Sequence, residues 1–185
     1  MAYEIEKRSK LTKKKYAALQ TYLDIHAKFV SEKRLDSYLF RKPSYLRIRL
    51  VSDDPLVYIT EKTGTYHDVA RFEKDFTFPR TKLPRFITTY YTKGYTRCVP
   101  VITYRRTYKL DGLKVELNRI NYLGLILEVE AVTKKKSAIA TLEKKVNAML
   151  LQLDVKELPA DVYQRMLDRN HREHAINLKT VSFEK

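Results

Sequence analysis

Between residues 45 and 132 apolar and polar side chains alternate with a period of two in one segment after another. No other feature of the chain constrains its fold as strongly. Residues 45–50 read Tyr-Leu-Arg-Ile-Arg-Leu, and the same rhythm recurs over 56–62, 71–76, 99–108, 114–120 and 125–132. Each segment has the length and pattern of a strand with one apolar face. Around them the period changes. Tyr16, Leu19, Leu23 and Ala27 fall at three- and four-residue spacing, which predicts an amphipathic helix from residue 12 to about 30. Ile139, Leu142, Val146, Met149, Leu150 and Leu153 repeat that spacing, and Pro159-Ala160-Asp161 opens a last helix through about residue 171. This order predicts an α+β fold, a mostly antiparallel sheet with helices packed outside it.

The polar parity of these strands is charged. Side chains at i and i+2 share a face, so Glu4, Glu6 and Arg8 project together while Ile5 turns the other way. Arg47 and Arg49 oppose Leu46, Ile48 and Leu50, and Glu128 and Glu130 oppose Leu127 and Val129. Lys62 lies on the parity of Tyr58 and Thr60, while Arg71, Glu73 and Asp75 oppose Phe72 and Phe76. A sheet with one face in water also carries mixed charge. Here, however, paired carboxylates near both ends of the sheet region complement paired arginines in its middle. If the sheet curls so that these faces converge, they enclose a cavity suited to a polyphosphate and a metal. Arginine and lysine neutralise phosphoryl oxygens, and a hard divalent cation turns the repulsion between carboxylate and phosphate into a contact.

Composition agrees with that chemistry without selecting it. Lys and Arg number 37 against 22 Asp and Glu, a formal charge of +15 that favours polyanionic partners. The chain of 185 residues has four glycines, six prolines and no linker-like stretch, so one domain over 1–185 is expected. A single cysteine, Cys98, excludes an intrachain disulfide. With no long apolar run and no signal-like start, the expected location is the cytoplasm.

Several motifs, in order, resemble the CYTH superfamily, the triphosphate tunnel metalloenzymes. Glu4-Ile5-Glu6-Lys7-Arg8 is similar to its opening Glu-x-Glu-x-Lys, with Arg8 in place of the lysine. Leu35-Asp36-Ser37-Tyr38-Leu39-Phe40 and Leu46-Arg47-Ile48-Arg49 resemble the next two strands. Ile59-Thr60-Glu61-Lys62 and Arg71-Phe72-Glu73-Lys74-Asp75 resemble the pair after them. Tyr104-Arg105-Arg106-Thr107-Tyr108 resembles the basic strand of the second half, and the run from Val115 through Asn118 and Leu123-Gly124 to Glu128-Val129-Glu130 resembles the acidic end. Ala160-Asp161-Val162-Tyr163 is similar to the last helix of cyclase-like members.

The resemblance implies a closed antiparallel β-barrel, a tunnel of about eight strands with helices outside. Within it Glu4, Glu6, Glu128 and Glu130 hold Mg²⁺ or Mn²⁺. Arg8, Arg47, Arg49, Lys62, Arg71 and Arg105 or Arg106 hold phosphates, and Glu4, Glu6, Arg8, Lys62 and Asn118 serve catalysis. Asn118 stands where the family usually has Asp, and an amide lacks a carboxylate's charge. The implied activity is metal-dependent hydrolysis of inorganic, thiamine or nucleoside triphosphate by a monomer or homodimer. The alternatives are a class IV type adenylyl cyclase and a non-catalytic binder of polyphosphate or an RNA 5′-triphosphate. The binder draws on the tyrosines and arginines interleaved over residues 95–108, where bases could stack and phosphates pair.

Overall fold

The computed structural model describes residues 3–41, 44–52, 54–63, 72–181 and 183, with the side chains of 62, 63, 72 and 73 undescribed. Strand β1 (Tyr3–Leu11) leads into helix α1 (Lys13–His26), which Thr12 caps by accepting a hydrogen bond from the Lys15 amide at 3.2 Å. Four strands follow, β2 (Lys28–Phe40), β3 (Tyr45–Val51), β4 (Leu56–Thr63) and β5 (Phe72–Pro79). Helix α2 (Leu83–Thr92) separates them from β6 (Arg97–Leu110), β7 (Leu113–Ile120) and β8 (Gly124–Thr133). Helices α3 (Ile139–Gln152) and α4 (Ala160–His174) and a short β9 (Ile176–Asn177) complete the order.

Two expectations change. The helix expected to reach about residue 30 ends at His26, because residues from Lys28 onward join the β2–β6 ladder and Phe29 packs edge-on against Tyr108. Helix α2 has no counterpart in the sequence reading. Its Phe-Ile-Thr-Thr-Tyr-Tyr-Thr run favours strand by propensity. The start signal was Pro84 in the first turn, where the missing amide is harmless.

All described pairings in the sheet are antiparallel, in the order β1-β8-β7-β6-β2-β3-β4-β5, with β9 beside β6. The first strand thus lies against the last long one. The β6–β7 hairpin turns on Asp111 and Gly112, both at positive φ, the backbone that a two-residue hairpin of matching twist requires. The sheet curls into a tunnel, so that β1 at one edge and β5 at the other line the same cavity. Its outer face is apolar where the helices pack. Helices α1 and α3 cover Ile5, Val115, Leu117, Leu127 and Val129 with Leu19, Leu23, Val146 and Met149. Helix α2 covers Leu46, Ile48, Val57 and Ile59. Helix α4 does something different. Its Leu167 packs on Val99, Val101, Ile120 and Ile126, residues of the inward parity, and so closes one end of the tunnel with apolar contacts. Cys98 is buried, and burial pushes its thiol up to about 12, which suits a small packing group and not a nucleophile. Among the described residues no helix is long and apolar enough to cross a membrane.

Candidate active site

The inward parity of seven strands meets in a cavity of about 270 Å³. Strand register sets which charges face one another. Glu6 stands opposite Glu130 and Arg8 opposite Glu128 on the β1–β8 ladder. Across β7, Lys114 faces Glu130 and Glu116 faces Glu128, while Asn118 faces Arg105 of β6. On the far side Ser37 faces Arg49, and Arg47, Thr60 and Asp75 form one row over β3, β4 and β5. The cavity therefore has an acidic wall, built from Glu4, Glu6, Glu116, Glu128 and Glu130, and a basic wall built from Arg47, Arg49 and Arg105.

The acidic wall is threaded by cations. Arg8 pairs with Glu6 and gives its Nε to Glu128 at 2.9 Å, with its guanidinium 4.6 Å over the Tyr163 ring of α4. Arg105 reaches Glu116 at 2.8 Å and Glu128 at 3.0 Å. Lys114 pairs with Glu130 and lies 3.4 Å from Glu116. Burial would raise the Glu128 carboxyl, but Arg8, Arg105 and Arg49 overcome it and hold Glu128 well below the ordinary carboxylate range. Glu130 behaves oppositely. Burial, reinforced by Glu4 and Glu116 and only partly relieved by Lys114, pushes it up to about 7. Among the described residues no three carboxylate, imidazole or thiol groups converge closely enough to hold a metal as they stand.

The basic wall carries the complementary imbalance. Arg47 donates to Thr60 Oγ1 at 2.9 Å, and that hydroxyl donates to Asp75 at 2.7 Å, yet Arg47 Nε is buried without a hydrogen-bond partner. Arg49 has Ser37 Oγ at 3.4 Å. Neither arginine contacts a carboxylate among the described residues. Burial, with Arg47 and Arg105 beside it, pushes the Arg49 guanidinium down to about 9. The group remains a cation at neutral pH, so the shift registers how strongly this wall favours an added anion.

Of the residues singled out by sequence, Glu4, Glu6, Arg8, Arg47, Arg49, Arg105, Glu128 and Glu130 line this one cavity. Arg106 does not. It projects from the other face of β6 toward Asp24 at 3.4 Å and Glu32 at 3.2 Å, so Arg105 is the inward member of the pair. Asn118 is fully buried behind the cavity, where its carbonyl accepts from Arg105 Nε at 2.8 Å and its amide donates to Glu128 at 3.1 Å. Lys62 lies on β4 opposite Tyr45, with its side chain outside the described set, and Arg71 lies outside the described residues. Sequence reasoning missed Lys114, Glu116, Ser37 and Thr60 as part of the site. Lys114 and Glu116 share the parity of Asn118, and that two-residue spacing was the available signal.

A family model described as CYTH domain matches residues 2–160. A comparison with curated protein sequences finds no match. Among solved structures, the PH1819 protein from Pyrococcus horikoshii OT3 superposes with a TM-score of 0.72 at 17% identity, over 90% of this chain and 99% of that one. The PH1012 protein from the same organism gives 0.62 at 22% identity, over 83% and 91%. HpAC1 from Hippeastrum, for which a dominant triphosphatase activity is described, gives 0.57 at 14% identity, over 85% and 90%. At such identities the likeness is one of fold.

Proposed function

The chain belongs to the CYTH family, and from that premise we propose that it is a metal-dependent phosphohydrolase acting on triphosphate-containing substrates inside the tunnel. One observation carries this reading. Arg47 and Arg49 share a wall of the cavity without a carboxylate partner among the described residues, and they face a wall of five glutamates. A triphosphate supplies the anion that the arginines lack. The dominant triphosphatase activity described for HpAC1 on the same fold agrees with hydrolysis.

The donor set fits a hard divalent cation, because Glu4 and Glu116 lie close enough to Glu130 to raise its proton affinity, and a bound cation relieves that repulsion. We assign Glu4, Glu6 and Glu130 to hold Mg²⁺ or Mn²⁺, with Glu6 and Glu130 exchanging their present partners Arg8 and Lys114 for the metal. Glu128 is committed to Arg8, Arg105 and Asn118, and it acts as the anchor of the two arginines. When bound, the metal supplies charge neutralisation and Lewis acidity at phosphoryl oxygens. Arg47 and Arg49 hold the phosphate chain, and Arg8 and Arg105 bridge from it to the acidic wall. Water adds to the terminal phosphorus, the bridging P–O bond breaks toward diphosphate, and a carboxylate of the acidic wall takes the water's proton. Helix α4 excludes solvent from one end.

The test is product analysis with tripolyphosphate, thiamine triphosphate and ATP in the presence of Mg²⁺ or Mn²⁺. Metal-dependent orthophosphate release, lost in Glu4→Ala and raised in KM by Arg49→Ala, is the expected result. Cyclic AMP with pyrophosphate from ATP would instead assign a cyclase. Tight binding of triphosphate without turnover would assign a binding protein.

A further inference from the structure

On the sheet's outer face the middle of β2 and β6 carries partly or fully exposed side chains, among them Arg34, Asp36 and Tyr104. A second cavity of about 370 Å³ opens there, lined in part by Arg34, Asp36, Tyr38, Arg80 and Phe183. Beside it the register places Tyr104 of β6 between Arg34 of β2 and Arg119 of β7. Neighbouring strands lie about 4.8 Å apart, so the two arginines flank the ring at a separation of about 10 Å. Tyr104 is 43% exposed, and the Arg119 guanidinium lies 4.7 Å over its ring. Arg34 gives Nε to Asp36 at 3.0 Å, and its outer nitrogens have no hydrogen-bond partner among the described residues. Among the described residues lining the cavity Asp36 is the single acid, against Arg34 and Arg80.

This is a different arrangement from the tunnel. The tunnel walls mix carboxylates with cations, as a metal-bound phosphate chain requires. The outer strip also pairs Arg34 with Asp36 and Arg106 with Glu32, but it sets an exposed ring between Arg34 and Arg119, the pattern that pairs phosphates and stacks bases. A duplex hides its base faces, whereas a single strand offers them. We propose that this outer groove binds single-stranded nucleic acid, with a base stacked on Tyr104 and the flanking phosphates on Arg34 and Arg119. Within the interleaved residues 95–108, parity separates Arg105 from Arg106 and burial separates the tyrosines. Tyr95 and Tyr108 are core residues, and Tyr104 is the exposed platform.

The experiment is fluorescence anisotropy on the full chain with a labelled oligouridylate of about twelve nucleotides, a length within the usual site size of single-strand binders. Its 5′ end is a hydroxyl, so the tunnel's triphosphate chemistry is not engaged and failure here leaves the hydrolase reading intact. Tyr104→Ala should weaken binding between about fivefold and a hundredfold, as loss of one stacked base does, while Tyr104→Phe retains it. Arg34→Ala and Arg119→Ala should each flatten the dependence of log K on log salt by about 0.7. Oligothymidylate should bind equally, because stacking and phosphate pairing do not use the 2′-hydroxyl. Phosphate release by Tyr104→Ala should match that of the parent, which also reports that the variant is folded. Indifference to Tyr104→Ala, equal affinity for a duplex, or loss of binding in the tunnel variant Arg49→Ala would each overturn the proposal.

Discussion

Glu130 and Arg49 are mirror cases of one rule, that a buried charge is set by its neighbours more than by its own chemistry. For Glu130 the folded pKa of about 7 lies above the ordinary 4.5. The folded state therefore binds the proton more tightly than the unfolded chain, and stability in the metal-free protein falls as pH rises between those two values. Calorimetry in a chelator should show that decline, and Glu130→Gln should flatten it. Asn118 makes a second residue-scale test. Its amide donates to Glu128 where an aspartate would present a like charge. Asn118→Asp should therefore lower stability by about 1–3 kcal/mol in urea unfolding, the usual consequence of losing a buried donor.

At the scale of elements, α4 is the piece whose role differs from its pattern. The proline and aspartate at its start predict a helix, but only tertiary contacts reveal that its apolar side faces into the tunnel and not onto the outer sheet. Leu167→Ala should cost about 2–3 kcal/mol, toward the low end for a leucine packed among partly relaxing neighbours, and should be read by chemical denaturation. The strands were the most legible part of the chain. Their two-residue period fixes which side chains share a face, and so it grouped Glu4 with Glu6, Arg47 with Arg49 and Glu128 with Glu130; that these faces turn inward came from the family resemblance. Periodicity within one strand does not reveal its partners across the ladder, so it is the β7–β8 register that sets Lys114 and Glu116 against Glu130 and Glu128. Nor could it choose between Arg105 and Arg106, whose fates depend on which face α1 covers. Helix α2 was illegible for the opposite reason. Its aromatic residues carry strand propensity, and packing of Phe86 against Phe78, at 4.9 Å between rings, overrides it.

For the whole molecule, the charge of +15 sets the response to anions. Tripolyphosphate with metal, at a hundred times its Kd, should raise Tm by about 5–10 °C for a domain of this size, and the gain should shrink as salt is added. Thermal shift against tripolyphosphate concentration checks this directly. The pairing of β1 with β8 carries a further consequence, for biosynthesis. Arg8 and Glu128 are separated by 120 positions yet share a hydrogen bond. A nascent chain that has not yet released β8 holds Glu4, Glu6 and Arg8 without the strand that orders them. The cavity is then absent from every shorter intermediate and arises only with closure of the longest loop in the sheet. Such non-local topologies fold in milliseconds to seconds. Ligand competence in a refolding experiment should accordingly appear in the final kinetic phase, together with the last gain in β structure.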